Sequence, residues 1–170
     1  MRARFVAGDA AVGETVYAVR EAVLGKARDE SSLALEVVRM RDRMREHLLS
    51  QEPAKEGQFH LKHGRGGIVD IEFMVQYAVL AWSHRVPGLA QWSDNIRILE
   101  TLGREGLFEQ QECDALIGAY LAYRSAAHQL ALQQQPALVP EAGYREHRGA
   151  VVAKWDQLFA AHTATEERKP

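Results

Sequence analysis

Between Phe59 and Trp82 the chain passes without a break from a basic, glycine-rich loop into its most apolar helical run. Gly64, Gly66 and Gly67 sit within four positions, among Lys62, His63 and Arg65. Glycine permits positive φ and close backbone approach, which a plain helix-to-helix connection rarely needs. From Ile68 onward, Ile71, Val75, Ala78, Val79 and Trp82 form a helical stripe, and Phe73, Met74, Leu80 and Ala81 widen it to nearly every side. A helix apolar all round belongs inside a fold, so the spacing predicts a central buried helix from Ile68 to near His84. Asp70, Glu72 and Gln76 interrupt the apolar run near its start, which excludes a membrane span. At about 100° per residue, Glu72 and Gln76 share one face while Asp70 points to another.

The loop has two readings. In the plainer one, residues 64–67 are a tight turn, with Asp70 and Glu72 as first-turn carboxylates favoured by the helix dipole. In the sharper one they form an anion site: free amides at the helix start, backbone approach at Gly66 and Gly67, and the cations of Lys62 and Arg65 all favour negative charge. A glycine-rich loop alone does not decide between them. A metal pair at Asp70 and Glu72 is disfavoured, because positions i and i+2 diverge by about 200° on a helix.

A length of 170 residues, 46% hydrophobic and 26% charged, suits one globular domain with a substantial core, or one domain plus an arm. A net charge of −2 and a pI near 6.4 argue against a protein that coats nucleic acid. The single Cys113 rules out an internal disulfide or a thiolate metal cage. With neither a signal peptide nor a membrane segment in the pattern, the expected location is cytoplasmic.

Residues 1–12 read as a basic arm, 13–162 as an all-α bundle of about six helices, and 163–170 as a frayed tail. Val16, Val19 and Val23 have helical spacing over 14–24, with Gly25 as the stop. A second helix starts at Ser31 or Ser32 and runs to about Leu49, turning Leu33, Val37, Val38, Met44 and Leu48 inward. Arg39, Arg41, Arg43 and Arg45 are assigned to its solvated outer surface. Residues 50–58 read as a polar linker. Ser93 is the expected cap of a helix that buries Ile96, Leu99 and Leu102 and stops at Gly106. A long helix over 109–134 ends before Pro136, and a last one covers 144–162, burying Trp155, Phe159 and His162. No strand is expected. The seven histidines lack ligand spacing, and there is no P-loop, Gly-x-Ser-x-Gly elbow, or Gly-Ser followed by an Asp-x-Asp pair.

Two motifs carry a resemblance. One is Gly-Gly-Ile-x-Asp-Ile-Glu-Phe at 66–73, preceded by Lys62-His63-Gly64-Arg65; the other is Trp-Ser-Asp-Asn-x-Arg-Ile-Leu-Glu at 92–100. From Arg2 to about Phe159 the chain resembles the helical domain that follows a nucleotidyltransferase domain in the bacterial glutamine synthetase adenylyltransferases. A looser relative is the uridylyltransferase that modifies the PII signal protein. The second motif is similar to the C-terminal, AMP-adding half of those enzymes. The stretch from Arg2 to Asp9 resembles the exit from their nucleotidyltransferase domain.

The resemblance implies a helical segment of an enzyme that moves AMP from ATP to a tyrosine of glutamine synthetase. Mg²⁺ and ATP would be its cofactors, and glutamine and the PII protein its regulators. It also implies a longer parent polypeptide with Met1 introduced at the cut, metal-binding carboxylates in the domain outside this chain, and a segment inactive alone. On that basis Lys62, Arg65 and the Gly66 and Gly67 backbone face nucleotide or phosphate. Asp70 and Glu72 hold the loop and helix start, and Arg2 and Arg4 belong to the arm beside the neighbouring domain. The alternative is a docking module for PII, glutamine or that domain, or the equivalent segment of the AMP-removing half. Neither a nucleic acid nor a membrane is expected as partner.

Overall fold

The helix Ile68–Trp82 sits where its apolar circumference requires, inside the bundle. Ile71, Met74, Val75, Ala78 and Val79 are all 0% exposed. In the computed structural model, which describes residues 3–51 and 53–163, the helices are α1 (Ala10–Leu24), α2 (Glu30–Gln51), α3 (Ile68–Trp82), α4 (Asn95–Arg104), α5 (Gln110–Leu132) and α6 (Arg145–Thr163). Helices α2, α4, α5 and α6 all pack on α3. Tyr77 of α3 meets Phe159 of α6 edge-on at 5.1 Å, and burial pushes its phenol up to about 12. Arg2, the tail 164–170 and the side chain of His162 lie outside the described residues. No described helix is long and apolar enough to cross a membrane.

The helix starts fall where side-chain acceptors stand, in several places one or more residues from the expected cap. Asp9 accepts the Ala11 amide at 2.9 Å, so α1 begins at Ala10, before the 14–24 expectation. Asp29 accepts the Ser32 amide at 2.6 Å, and it is Asp29 rather than Ser31 or Ser32 that caps α2. Asp94 accepts the Arg97 amide at 3.0 Å and displaces Ser93 as the cap of α4. A carboxylate is a stronger acceptor than a hydroxyl and complements the helix dipole. At the far end of α4, Gly106 has φ +68 and the Leu107 amide reaches back to the Leu102 carbonyl.

Two segments expected to be irregular pair with each other. β1 (Gln58–His60) and β2 (Leu138–Pro140) run antiparallel, with Phe59 opposite Val139. The Leu61 amide extends the ladder to Ala137, and Glu141 to Gly57. Three-residue strands carry too few positions for alternation to register as a pattern. Phe59, 2% exposed, anchors the ladder against Tyr123 of α5.

A second correction concerns α2. Arg39 and Arg43 are exposed as expected, but Arg41 is 0% exposed and is among the largest fully buried side chains described.

Helices α5 and α6 are joined by a nearly buried cation. Lys154 Nζ lies 2.5 Å from Glu112 Oε2 and 3.9 Å from the centre of the Phe108 ring, while Glu112 also accepts the Glu109 amide as part of a capping box. Burial raises the Glu112 carboxyl, but the Lys154 hydrogen bond, the Glu109 amide and the Lys154 charge together hold it below its usual value. A carboxyl lowered in the folded state contributes stability above its unfolded pKa of about 4.3 and loses it as pH falls through the folded value. Thermal unfolding from about pH 5 down to about pH 2 is therefore expected to show a steeper fall in Tm for the wild type than for Glu112→Gln. Parallel curves would contradict this reading of the pair.

Candidate functional site

The turn from Leu61 to Asp70 is folded around its own acceptors. His60, 4% exposed, accepts the Lys62 and His63 amides on Nδ1, both at 3.2 Å. The Gly64 amide goes to the His60 carbonyl at 2.9 Å and Gly67 to the Gly64 carbonyl at 3.0 Å. Gly66 donates to Asp70 Oδ2 at 2.6 Å, and Ile68 to the Leu61 carbonyl at 2.9 Å. Asp70 is 1% exposed, and its other oxygen takes Arg41 Nε at 2.5 Å, with Arg45 Nη2 at 3.5 Å. Arg41 Nη2 then donates to the His63 carbonyl at 2.9 Å. Burial pulls the Arg41 guanidinium below its ordinary value, and Asp70 partly offsets that.

The glycines serve this inward folding. Gly66 has φ +82, and a Cβ there would lie 2.8 Å from Arg148 Cγ and 2.9 Å from the Arg148 carbonyl oxygen of α6. At Gly67 a Cβ would meet the Leu61 carbonyl oxygen at 2.6 Å. The expectation that the Gly66 and Gly67 backbone turns toward an outside phosphate is thus corrected. Their amides have acceptors within the turn, and both residues are buried.

The side chains of the turn diverge. Lys62 is exposed and borders a cleft of about 580 Å³ with Leu48, His60, His63 and Pro136. Arg65 reaches the other way and holds Asp156 of α6 through both carboxylate oxygens, at 2.9 and 2.7 Å. Arg148 of α6 closes that side, donating from Nε to the Arg65 carbonyl at 3.0 Å and lying over the Phe59 ring.

Glu72 stands apart from the turn. It lines a cleft of about 440 Å³ with Arg4, Ser93, Asp94, Asn95, Tyr120 and Arg124. Here the arm, α3, the second motif and α5 converge. Asn95 Nδ2 donates to the Tyr120 hydroxyl at 2.8 Å, and Arg124 stacks on the same ring. Buried Arg20 of α1 fixes this corner by donating to the Ala3, Ala90 and Trp92 carbonyls. Among the described residues, no group of three or more His, Cys, Asp or Glu is placed to hold a metal ion. Cys113 is buried and its thiol is pushed up to about 11, which suits a core residue.

Sequence reasoning gives Arg20 and Arg148 no role, reads His60 only as an unsuited metal ligand and Arg41 as solvated, although each holds part of these two corners. For Arg41 the signal was present: it falls on the inward stripe of Val37, Val38, Met44 and Leu48. For the others, partners 70 or more residues away, or a backbone turn, carry the role, and local spacing does not encode that.

Gly66→Ala tests the packing of the turn. Positive φ and the missing space beside Arg148 together are expected to lower unfolding free energy by about 2 kcal/mol or more, read by urea denaturation. A loss under about 0.5 kcal/mol would mean the turn is loose.

Comparison with known proteins assigns the chain at the level of family. A model described as GlnD PII-uridylyltransferase matches residues 38–165, which include the turn, the lining of the cleft beside Lys62, and α6. A bifunctional glutamine synthetase adenylyltransferase/adenylyl-removing enzyme of Nitrosococcus oceani is 48% identical over 96% of this chain and 17% of its own length. Proteins of the same description from Acinetobacter baylyi and Pseudomonas aeruginosa are each 45% identical, over 94% and 93% of the chain. The chain spans 17% of the length of each of these relatives. It belongs to the GlnD PII-uridylyltransferase family, and the relatives it matches along nearly all its length are bifunctional glutamine synthetase adenylyltransferase/adenylyl-removing enzymes.

Proposed function

We propose that this chain acts as a helical segment of an enzyme that transfers AMP from ATP to a tyrosine of glutamine synthetase, beside a nucleotidyltransferase domain of the same polypeptide. The observation that carries the reading is the 48% identity over 96% of the chain to a relative of that description. The metal-binding carboxylates and the Mg²⁺–ATP they hold would belong to the neighbouring domain. This segment's part is mechanical and electrostatic. The sealed turn is a rigid platform, and Lys62, whose side chain is exposed, carries a cation toward the phosphate side of the shared cleft. Arg65 is the weaker candidate, since a phosphate would compete there with Asp156. In the full-length enzyme Lys62→Ala is expected to raise the KM for ATP about fivefold, the loss of roughly 1 kcal/mol of phosphate contact. An unchanged KM and AMP-transfer rate would remove Lys62 from the site.

The cleft around Glu72 favours a second reading, a regulatory site. Its lining has two cations, Arg4 and Arg124, and two carboxylates, Glu72 and Asp94. A balanced lining suits a small ligand bearing both charges better than a nucleoside triphosphate. Glutamine has that chemistry, and the PII protein is the other candidate effector. Titration calorimetry of the chain with ATP–Mg²⁺, glutamine and PII separates the readings. Heat with glutamine or PII alone favours regulation, and heat with none of the three favours the platform.

A further inference from the structure

Helix α1 turns an uncovered valine seam away from the bundle. Val12, Val16, Val19 and Val23 recur at spacings of four, three and four, the alternation by which one helix packs along another. Val12 and Val19 are each 57% exposed and Val23 is 46% exposed. The side of α1 about a quarter-turn round from the seam is engaged. Gly13 sits on the Phe5 ring, Arg20 binds three carbonyls, Leu24 is buried, and Arg28 ties the helix end to the Leu80 carbonyl of α3. The helix is therefore held in place, and its seam is preformed. An apolar groove of about 340 Å³, lined by Ala3, Val16, Val19, Val23 and Leu24, runs beside it.

We propose that this seam seats an amphipathic helix with an aliphatic face, supplied by the remainder of the same polypeptide and packed along α1. This rests on the reading of the chain as a segment of a longer enzyme. The first argument is size. Four partly exposed valines offer on the order of 300 Å² of apolar surface, against roughly 800 Å² per partner in a stable interface between separate molecules. A second copy or an independent protein is held too weakly by such a strip. A helix on the same chain meets it at an effective concentration in the millimolar range, which compensates for the small area. The second argument is length: relatives matched over 93–96% of this chain have 83% of their own residues outside it, as the matched share is 17%. The seam itself is entirely valine, so its occupant is recognised by apolar packing and not by charge.

The test compares hydrogen exchange of the α1 amides in the 170-residue chain and in the full-length polypeptide, each as wild type and as Val19→Asp. The proposal expects α1 amides to exchange at least about tenfold more slowly in the full-length protein, and Val19→Asp to erase that difference. Because Val19 is largely exposed here, the same substitution is expected to leave the Tm of the 170-residue chain unchanged. Equal exchange of α1 in both proteins overturns the proposal. Protection that rises with concentration in the 170-residue chain also overturns it, in favour of a second copy. AMP transfer measured on the same full-length sample separates the two readings. Activity with an unprotected α1 sinks only the seam, and protection without activity sinks only the adenylyltransferase reading.

Discussion

A carboxylate with almost no access to water holds the centre of this fold. Asp70 is 1% exposed, and it is surrounded by Arg41 Nε at 2.5 Å, the Gly66 amide at 2.6 Å and Arg45 at 3.5 Å. A buried charge is tolerable only when paired and hydrogen-bonded, so these contacts are interdependent. Arg41 reaches Asp70 only if α2 and α3 hold one register, and the Gly66 amide reaches it only if the turn folds inward. The same guanidinium then fixes the His63 carbonyl. One ion pair thereby sets the path of the turn, the start of α3 and the seating of α2.

Arginine does similar work elsewhere. Arg20 gathers the carbonyls of Ala3, Ala90 and Trp92, Arg28 joins α1 to α3, and Arg148 takes the Arg65 carbonyl while stacking on Phe59. Irregular segments leave carbonyls without ladder partners, and a planar guanidinium with five donors satisfies several at once. These guanidiniums tie carbonyls of the arm, the segment after α3 and the glycine turn to the helices.

The all-α class and the central place of α3 were legible because apolar residues surround the whole circumference of Ile68–Trp82. Gly106 likewise signalled its left-handed stop correctly. The turn was harder. Charge and glycine spacing looked alike for an outward anion site and for an inward fold, and the choice was made by Arg41, 25 residues upstream of Gly66. A run of alternating arginines resembles a solvated face, which hides Arg41 among exposed neighbours although its helical register points inward. The β1–β2 ladder was invisible for a different reason: its register depends on Phe59 finding a site against Tyr123, a contact between distant segments.

A double-mutant cycle on Arg41 and Asp70, read by urea unfolding, measures how far the buried pair organises the turn. If the buried pair organises the turn, Arg41→Met and Asp70→Asn each lower unfolding free energy by about 3–5 kcal/mol, and the double variant loses far less than their sum. Single losses under about 1 kcal/mol, or losses that simply add, would show that the turn and the two helices hold their places without it.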